Sequence, residues 1–196
     1  GSNMITDLAR RGKKIGVTAG SHKVILNLLE SVHRESQGGA KVLLAHKPKS
    51  GKQSDEYPSF VTRAEDKKAS LELLEKGYVV GGTAWLWANE LMEQKLDYLF
   101  IDEAGQMSLA VALAAGRAAK NIVLLGDPQQ LEQPQQGAHP EGAGVAALSH
   151  VLNGEETMPA DKGLFLDDTW RLHPAICDFV SEQYYEGRLD SVVGLE

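Results

Sequence analysis

At 196 residues and 42% hydrophobic content, the chain is long enough for one α/β domain with a real core and too apolar for a disordered one. A net charge of −7, from 27 acidic and 20 basic residues, excludes nucleic-acid binding by bulk charge, so any such contact must be local. No apolar run approaches the roughly 20 residues of a membrane span, no secretory pattern opens the chain, and the single Cys177 excludes an internal disulfide and fits a reducing, cytoplasmic setting.

Gly1-Ser2-Asn3 ahead of Met4 reads as a cloning remnant, leaving 4–196 as the expected domain. Residues 4–11 read as a helix closed by Gly12, and 15–19 as the first strand. Ser21 then caps a helix to about residue 33. A short strand over 42–45 leads into a polar surface loop, 46–62, carrying Pro48 and Pro58. A helix over 64–76 stops at Gly77, followed by a strand over 78–83 and a helix over 84–92. Apolar runs at 98–101 and 122–125 read as strands around an alanine-rich helix, 108–119. Residues 128–144, rich in Gln, Gly and Pro, predict a mobile loop. A helix over 145–152, a last short strand over 164–166 and a helix over 174–185 with Pro174 in its first turn complete the order. Short apolar runs alternating with helical patterns predict βαβ units: a mostly parallel sheet with helices on both faces.

Two of these strands end in chemistry. Leu99-Phe100-Ile101 runs into Asp102-Glu103, at the strand end where α/β sheets place ligands. Phosphoryl transfer to water needs one carboxylate to hold Mg²⁺ and a second group to orient or deprotonate the attacking water. On a continuing strand the two side chains would point to opposite faces and divide those roles; a solvated strand end is the plainer alternative. Ile122-Val123-Leu124-Leu125 runs into Gly126-Asp127-Pro128-Gln129-Gln130-Leu131. The Gln130 amide can donate to a phosphate oxygen and accept from water, although a Gly-Asp-Pro turn needs no function. Ser21-His22-Lys23 opens a helix with backbone amides, a hydroxyl and a cation, suited to a phosphate backbone or to a plain cap. Thr83 ends a strand whose Gly81 and Gly82 permit close approach. Trp85 and Trp87 have faces on which bases stack, though aromatic residues at a helix start more often fill a core. Arg171, in Trp170-Arg171-Leu172-His173-Pro174, suits charge spread over transferring phosphate oxygens or a structural ion pair. The six His and one Cys show no metal-ligand spacing, no Gly-x-Ser-x-Gly elbow occurs, and Cys177 reads as packed.

Together these residues resemble superfamily 1 helicases, in the branch containing the nonsense-mediated-decay helicase and related nuclease-helicases. Gly16-Val17-Thr18-Ala19-Gly20-Ser21-His22-Lys23 is similar to motif Ia and Gly82-Thr83 to motif Ic. Ile101-Asp102-Glu103-Ala104-Gly105-Gln106 is similar to motif II, and Gly126 to Leu131 to motif III. Trp170 to Pro174, with Tyr184-Tyr185-Glu186-Gly187-Arg188-Leu189, is similar to motif IV. Gly105 stands where many relatives have Gln, and Trp170 where many have Tyr. The resemblance implies a RecA-like P-loop NTPase fold and, for an intact parent, ATP and Mg²⁺. Asp102 would hold Mg²⁺ through water, Glu103 would activate water, and Gln130 and Arg171 would contact the γ-phosphate. Ser21, His22, Lys23 and Thr83 would touch a single strand, DNA in preference to RNA, while hydrolysis drives movement along it.

No segment matches the glycine-rich phosphate loop ending in Lys-Ser/Thr: Gly12-Lys13 and Gly51-Lys52 are followed by Lys14 and Gln53. The chain therefore reads as a partial first motor domain, without that loop, its strand or the second RecA-like domain. Missing three charge-assisted hydrogen bonds of roughly 1.5–3 kcal/mol each predicts about a thousandfold weaker nucleotide affinity, hence no tight ATP binding or turnover by this chain alone. In RecA-like sheets the phosphate-loop strand lies beside the motif III strand. A gap is expected there, closed by 164–166 or by self-association through the exposed edge. A degenerate module that binds nucleic acid or a protein without hydrolysis is the alternative. An unrelated metal-using α/β hydrolase would leave Ser21-His22-Lys23 and the Trp170–Pro174 cluster unexplained.

Overall fold

The computed structural model describes residues 1–49, 57–131, 142–155 and 157–192. Helix α1 (Ser2–Arg10) leads into β1 (Ile15–Thr18), whose four residues are all buried. Helix α2 (His22–Ser36) starts where Ser21 Oγ accepts a hydrogen bond from Val24 N at 3.3 Å, and buries Ile25, Leu28, Leu29 and Val32, the spacing of one helical face. Strands β2 (Leu44–His46) and β3 (Thr62–Arg63) follow, then α3 (Lys67–Glu75), capped by Asp66. Next come β4 (Val79–Gly81), α4 (Ala84–Trp87), a 3₁₀ turn at Glu90–Met92, β5 (Leu96–Ile101), α5 (Leu109–Gly116) and β6 (Ala119–Leu124). Helix α6 (Ala147–Leu152), β7 (Asp168–Thr169), α7 (Pro174–Tyr184) and β8 (Asp190–Ser191) complete the order.

Six strands form one parallel sheet in the order β3-β2-β4-β1-β5-β6, and β7 and β8 pair separately, also in parallel. Apolar residues cover both faces. Ile15, Val17 and Phe100 pack with α1 and α2 on one side, while Val80, Leu99 and Ile101 pack with α4, α5 and α6 on the other. Strands buried on both faces read as near-continuous apolar runs, which is why β1, β4 and β5 stand out in the sequence. This is the expected α/β RecA-like architecture.

Three expectations change. The helix expected over 84–92 is interrupted after Trp87, because Asn89 caps a separate 3₁₀ turn by accepting from Leu91 N at 3.2 Å. Thr62 and His46, the two ends of the expected loop 46–62, are in strands: His46 closes β2, and Thr62 with Arg63 forms an outer strand paired to Ala45 and His46. Residues 164–166 are not a strand: Leu164 is 85% and Leu166 79% exposed, so they do not close the sheet. Strand β6 is its last strand on that side, with Lys120, Asn121 and Ile122 exposed. Of the loops expected over 46–62 and 128–144, residues 50–56 and 132–141 lie outside the described residues. Ser2 and Asn3 form the first turn of α1. No helix among the described residues is long and apolar enough to cross a membrane.

Candidate nucleotide and nucleic-acid sites at one edge of the sheet

In a parallel sheet all strands end at the same edge, so residues just after them become neighbours. Here they fall into two groups, one after β5 and β6 and one after β1, β4 and β2.

In the first, β5 stops at Ile101 and the chain turns instead of continuing as a strand. Asp102 N donates to Thr18 O of β1 at 2.9 Å, and Ala104 N donates to Leu125 O beyond β6 at 2.8 Å. Asp102-Glu103 is thus held across three adjacent strands. The turn puts Glu103 at φ 55°, a left-handed conformation that costs a non-glycine residue about 1–3 kcal/mol. The alternation expected of a strand therefore does not apply; a backbone turn separates the two carboxylates instead. Asp102 is half-buried and its Oδ1 accepts from Glu103 N at 3.0 Å. Burial raises its pKa above the ordinary carboxylate range, opposed by that N–H and by the Gly1 ammonium. A carboxylate left short of compensation in this way suits a cation. Among the described residues no cluster of three or more His, Cys, Asp or Glu could hold a metal by itself. The donor set thus fits Mg²⁺ carried by one carboxylate, waters and phosphate oxygens.

The loop after β6 presses on this turn. A Cβ on Gly105 would lie 2.3 Å from the Asp127 carbonyl oxygen, and one on Gly126 2.9 Å from Ala104 N. Only glycine allows these two backbones to meet. Asp127 Oδ1 accepts from Gln129 N at 3.0 Å, shaping the loop. Its Oδ2 accepts from the Tyr185 hydroxyl at 2.7 Å, which ties the loop to the end of α7. Gln106 Nε2 donates to Gln130 Oε1 at 3.1 Å, leaving the exposed Gln130 its own amide donors. Arg171 is exposed between β7 and α7. Its backbone N donates to Thr169 Oγ1, and its guanidinium forms no hydrogen bond or ion pair with Asp102, Glu103 or Gln130.

A family described as AAA domain matches residues 33–133. The chain belongs to that family. This AAA domain is similar to "Probable helicase MAGATAMA 3" of Arabidopsis thaliana, at 26% identity over 93% of the chain and 21% of the relative. It is also similar to "ATP-dependent helicase NAM7" of Saccharomyces cerevisiae, at 29% identity over 87% of the chain and 17% of the relative. A third relative, "5'-3' DNA helicase ZGRF1" of Mus musculus, is 31% identical over 60% of the chain and 6% of its own length. The chain therefore spans between 6% and 21% of the length of these proteins. They support the resemblance to a superfamily 1 helicase of the nonsense-mediated-decay branch.

The second group of the AAA domain lies after β1, β4 and β2. Gly82 N donates to Val17 O at 3.0 Å and Lys47 N to Gly81 O at 2.9 Å, which laces the three exits together. Ser21 and Lys23 are exposed, His22 and Thr83 partly so. Ser21 is thus both an N-cap and an accessible hydroxyl. Thr83 starts α4 without spending its hydroxyl on a cap. The two tryptophans separate. Trp87 is buried, with Nε1 donating to Val17 O and Gly82 O, both at 3.2 Å, so it is core and not a stacking surface. Trp85 is 83% exposed next to Thr83.

His46 and Tyr57 also belong to this group, and sequence reasoning missed both. His46 is buried at the end of β2, its Nε2 3.0 Å from His22 Nδ1 and its Nδ1 2.5 Å from the Tyr57 hydroxyl. Burial, then His22, Lys47 and Arg63, lower its pKa to about 4. Burial, then Lys47 and Lys49, lower that of His22. Burial raises that of Tyr57 to about 12. A histidine directly after the apolar run 42–45 was the one available signal; its partners lie too far along the chain to be found by spacing.

Proposed function

We propose that this AAA domain is part of an ATP-dependent helicase or translocase, with nucleotide chemistry at the β5–β6 exits and a single strand at the β1–β4 exits. One observation carries the reading: the backbones around Asp102-Glu103 and Gly126-Asp127 meet at a distance only glycine permits, which joins the two phosphate-chemistry motifs in one site.

Bound Mg²⁺ would supply charge neutralisation to the phosphates. Asp102 would hold it through water, and Glu103 would accept a proton from the attacking water or orient it. Gln130, its amide oxygen occupied by Gln106, would donate Nε2–H to a γ-phosphate oxygen. Arg171 would join when its segment swings toward bound nucleotide. Ser21, His22, Lys23 and Thr83 would hold the phosphate backbone of a single strand, DNA in preference to RNA. A reducing cytoplasmic setting suits the single buried cysteine.

With no Gly-Lys-Ser/Thr loop in its sequence, the chain alone should give no calorimetric heat with a non-hydrolysable ATP analogue and Mg²⁺ up to millimolar ligand. The remaining loop, strand and second motor domain would come from a longer polypeptide, and the open β6 edge would receive that strand or a second copy of the chain. In that longer polypeptide Glu103→Gln should abolish nucleotide turnover while leaving nucleotide binding. Turnover that survives it would refute the assignment. Micromolar nucleotide binding by the chain alone would favour the second reading, an independent binding module with its own phosphate cradle.

A further inference from the structure

The cations of the working edge do not stop at Lys23. His22 opens α2 just beyond β1 and His46 closes β2, and their rings meet with His22 Nδ1 3.0 Å from His46 Nε2. Strand β4 lies between β1 and β2, so this contact joins exits two strand spacings apart, about 10 Å. Each histidine is followed by a lysine, and Lys49 comes two residues after Lys47. Lys23 and Lys49 are exposed and Lys47 is half-buried.

None of the three lysines is neutralised by a carboxylate among the described residues. Lys47 Nζ donates to the Pro48 carbonyl oxygen at 3.2 Å, while the side chains of Lys23 and Lys49 form no hydrogen bond or ion pair there. Arg63, on the outer strand, is different. Its Nε lies 3.2 Å from Glu65 Oε1 and its guanidinium 5.9 Å from the Tyr57 ring centroid, so it is spent within the fold. The histidines feel the uncompensated charge. After burial, Lys47 and Lys49 hold His22 below its ordinary pKa, and His22, Lys47 and Arg63 do the same to His46. With both rings neutral at pH 7, the free positive charge at this exit belongs to the lysines. Charges of one sign gathered at one edge concentrate counter-charge there, even on a chain of net charge −7.

We propose that Lys47 and Lys49 continue the single-strand site to the β2 exit, each holding a phosphate of the strand that Ser21, Lys23 and Thr83 engage at the β1 and β4 exits. The proposal rests on the strand-binding reading above and adds the path of the strand, along the sheet edge across β1, β4 and β2. Trp85, 83% exposed beside Thr83, lies on that path. An exposed indole stacks bases, which favours a nucleic-acid strand over an acidic peptide.

Fluorescein-labelled oligothymidine, titrated with the intact chain at several salt concentrations, tests the path. For a single strand the slope of log affinity against log salt is about −0.7 per phosphate contact. Lys47→Ala combined with Lys49→Ala should bind roughly tenfold to a hundredfold more weakly at low salt and make the slope shallower by about 1.4. Lys49→Ala alone, at an exposed position, should give about half of that slope change, and it keeps the test decisive if Lys47→Ala disturbs the fold. Lys13→Ala combined with Lys41→Ala removes the same charge from exposed positions ahead of β1 and β2, at the opposite edge, and should change neither quantity. Equal losses from the two double variants would assign the effect to bulk charge. Unchanged binding by the Lys49 and Lys47/Lys49 variants would mean that the strand stops at Lys23. Either result overturns the proposal and leaves the strand-binding reading standing. Polyglutamate of equal charge that binds as tightly as oligothymidine would give the lysines to an acidic partner and overturn it too. If the unaltered chain binds no oligothymidine, the strand-binding reading fails and takes the proposal with it.

Discussion

The two ends of the working edge are reinforced differently. After β1, β4 and β2, side chains add to the backbone bonds between the exits: Trp87 clamps Val17 and Gly82, and Tyr57, His46 and His22 bond in line. After β5 and β6 the exits are joined by backbone, with Asp102 N on Thr18 O, Ala104 N on Leu125 O, Gly105 pressed against Asp127 and Gly126 against Ala104. Asp102, Glu103 and Gln106 there stay half-exposed and Gln130 exposed, with Glu103 in a left-handed conformation. On the function proposed, a site for a flexible strand would profit from donors held rigid in advance, and a site for phosphate chemistry from side chains left available around a fixed turn, even at a local cost in strain.

This contrast can be broken at four points, the largest first. Gly105→Gln puts a Cβ where the Asp127 carbonyl oxygen lies at 2.3 Å, so the loops must part. A loss above about 3 kcal/mol is expected in urea unfolding. An unchanged midpoint would mean that the loops are not pressed together.

At the other end, His46 sets the acid limit of stability. Its pKa is near 6.5 when unfolded and about 4 when folded, so the unfolded chain binds the extra proton between those values. Stability from this group is complete above pH 6.5 and falls as the pH drops toward 4, by on the order of 3 kcal/mol. The groups facing it are His22, Tyr57, Lys47 and Arg63. His46→Gln should flatten that slope in urea titrations across the range; an equally steep variant would assign the slope to other groups.

Third, Trp85→Ala should weaken single-strand binding by about 1–3 kcal/mol, the value of one stacked base. Its thermal midpoint should hardly move, since the ring is 83% exposed. A shifted midpoint with unchanged strand affinity would make Trp85 structural. The smallest effect is expected for Glu103→Gly, which relieves the left-handed φ of 55° and should gain up to about 1 kcal/mol while removing the carboxylate. Destabilisation would show that Glu103 holds its turn together.

Much of this was legible in the residues. The doubly buried strands β1, β4 and β5 announce themselves as apolar runs, and Ser21 marks a helix start by its capping chemistry. Asp102-Glu103 and Gln130 could be placed at one sheet edge because parallel strands finish there together. Three things were not legible. Two-residue β3 is polar and pairs only because β2 offers a free edge. Leu164 and Leu166 look like a strand but are exposed, since apolar content alone does not say what will cover a segment. The His22–His46–Tyr57 line joins residues 24 and 11 positions apart, a separation that no local periodicity encodes.

The most direct test of the division into two sites is fluorescence anisotropy of labelled oligothymidine titrated with the unaltered chain, Lys23→Ala and Asp102→Asn. Saturable binding that weakens about threefold to tenfold with Lys23→Ala, and is not weakened by Asp102→Asn, is the expected result. No saturable binding, or an equal loss from Asp102→Asn, would contradict a strand site separate from the nucleotide site.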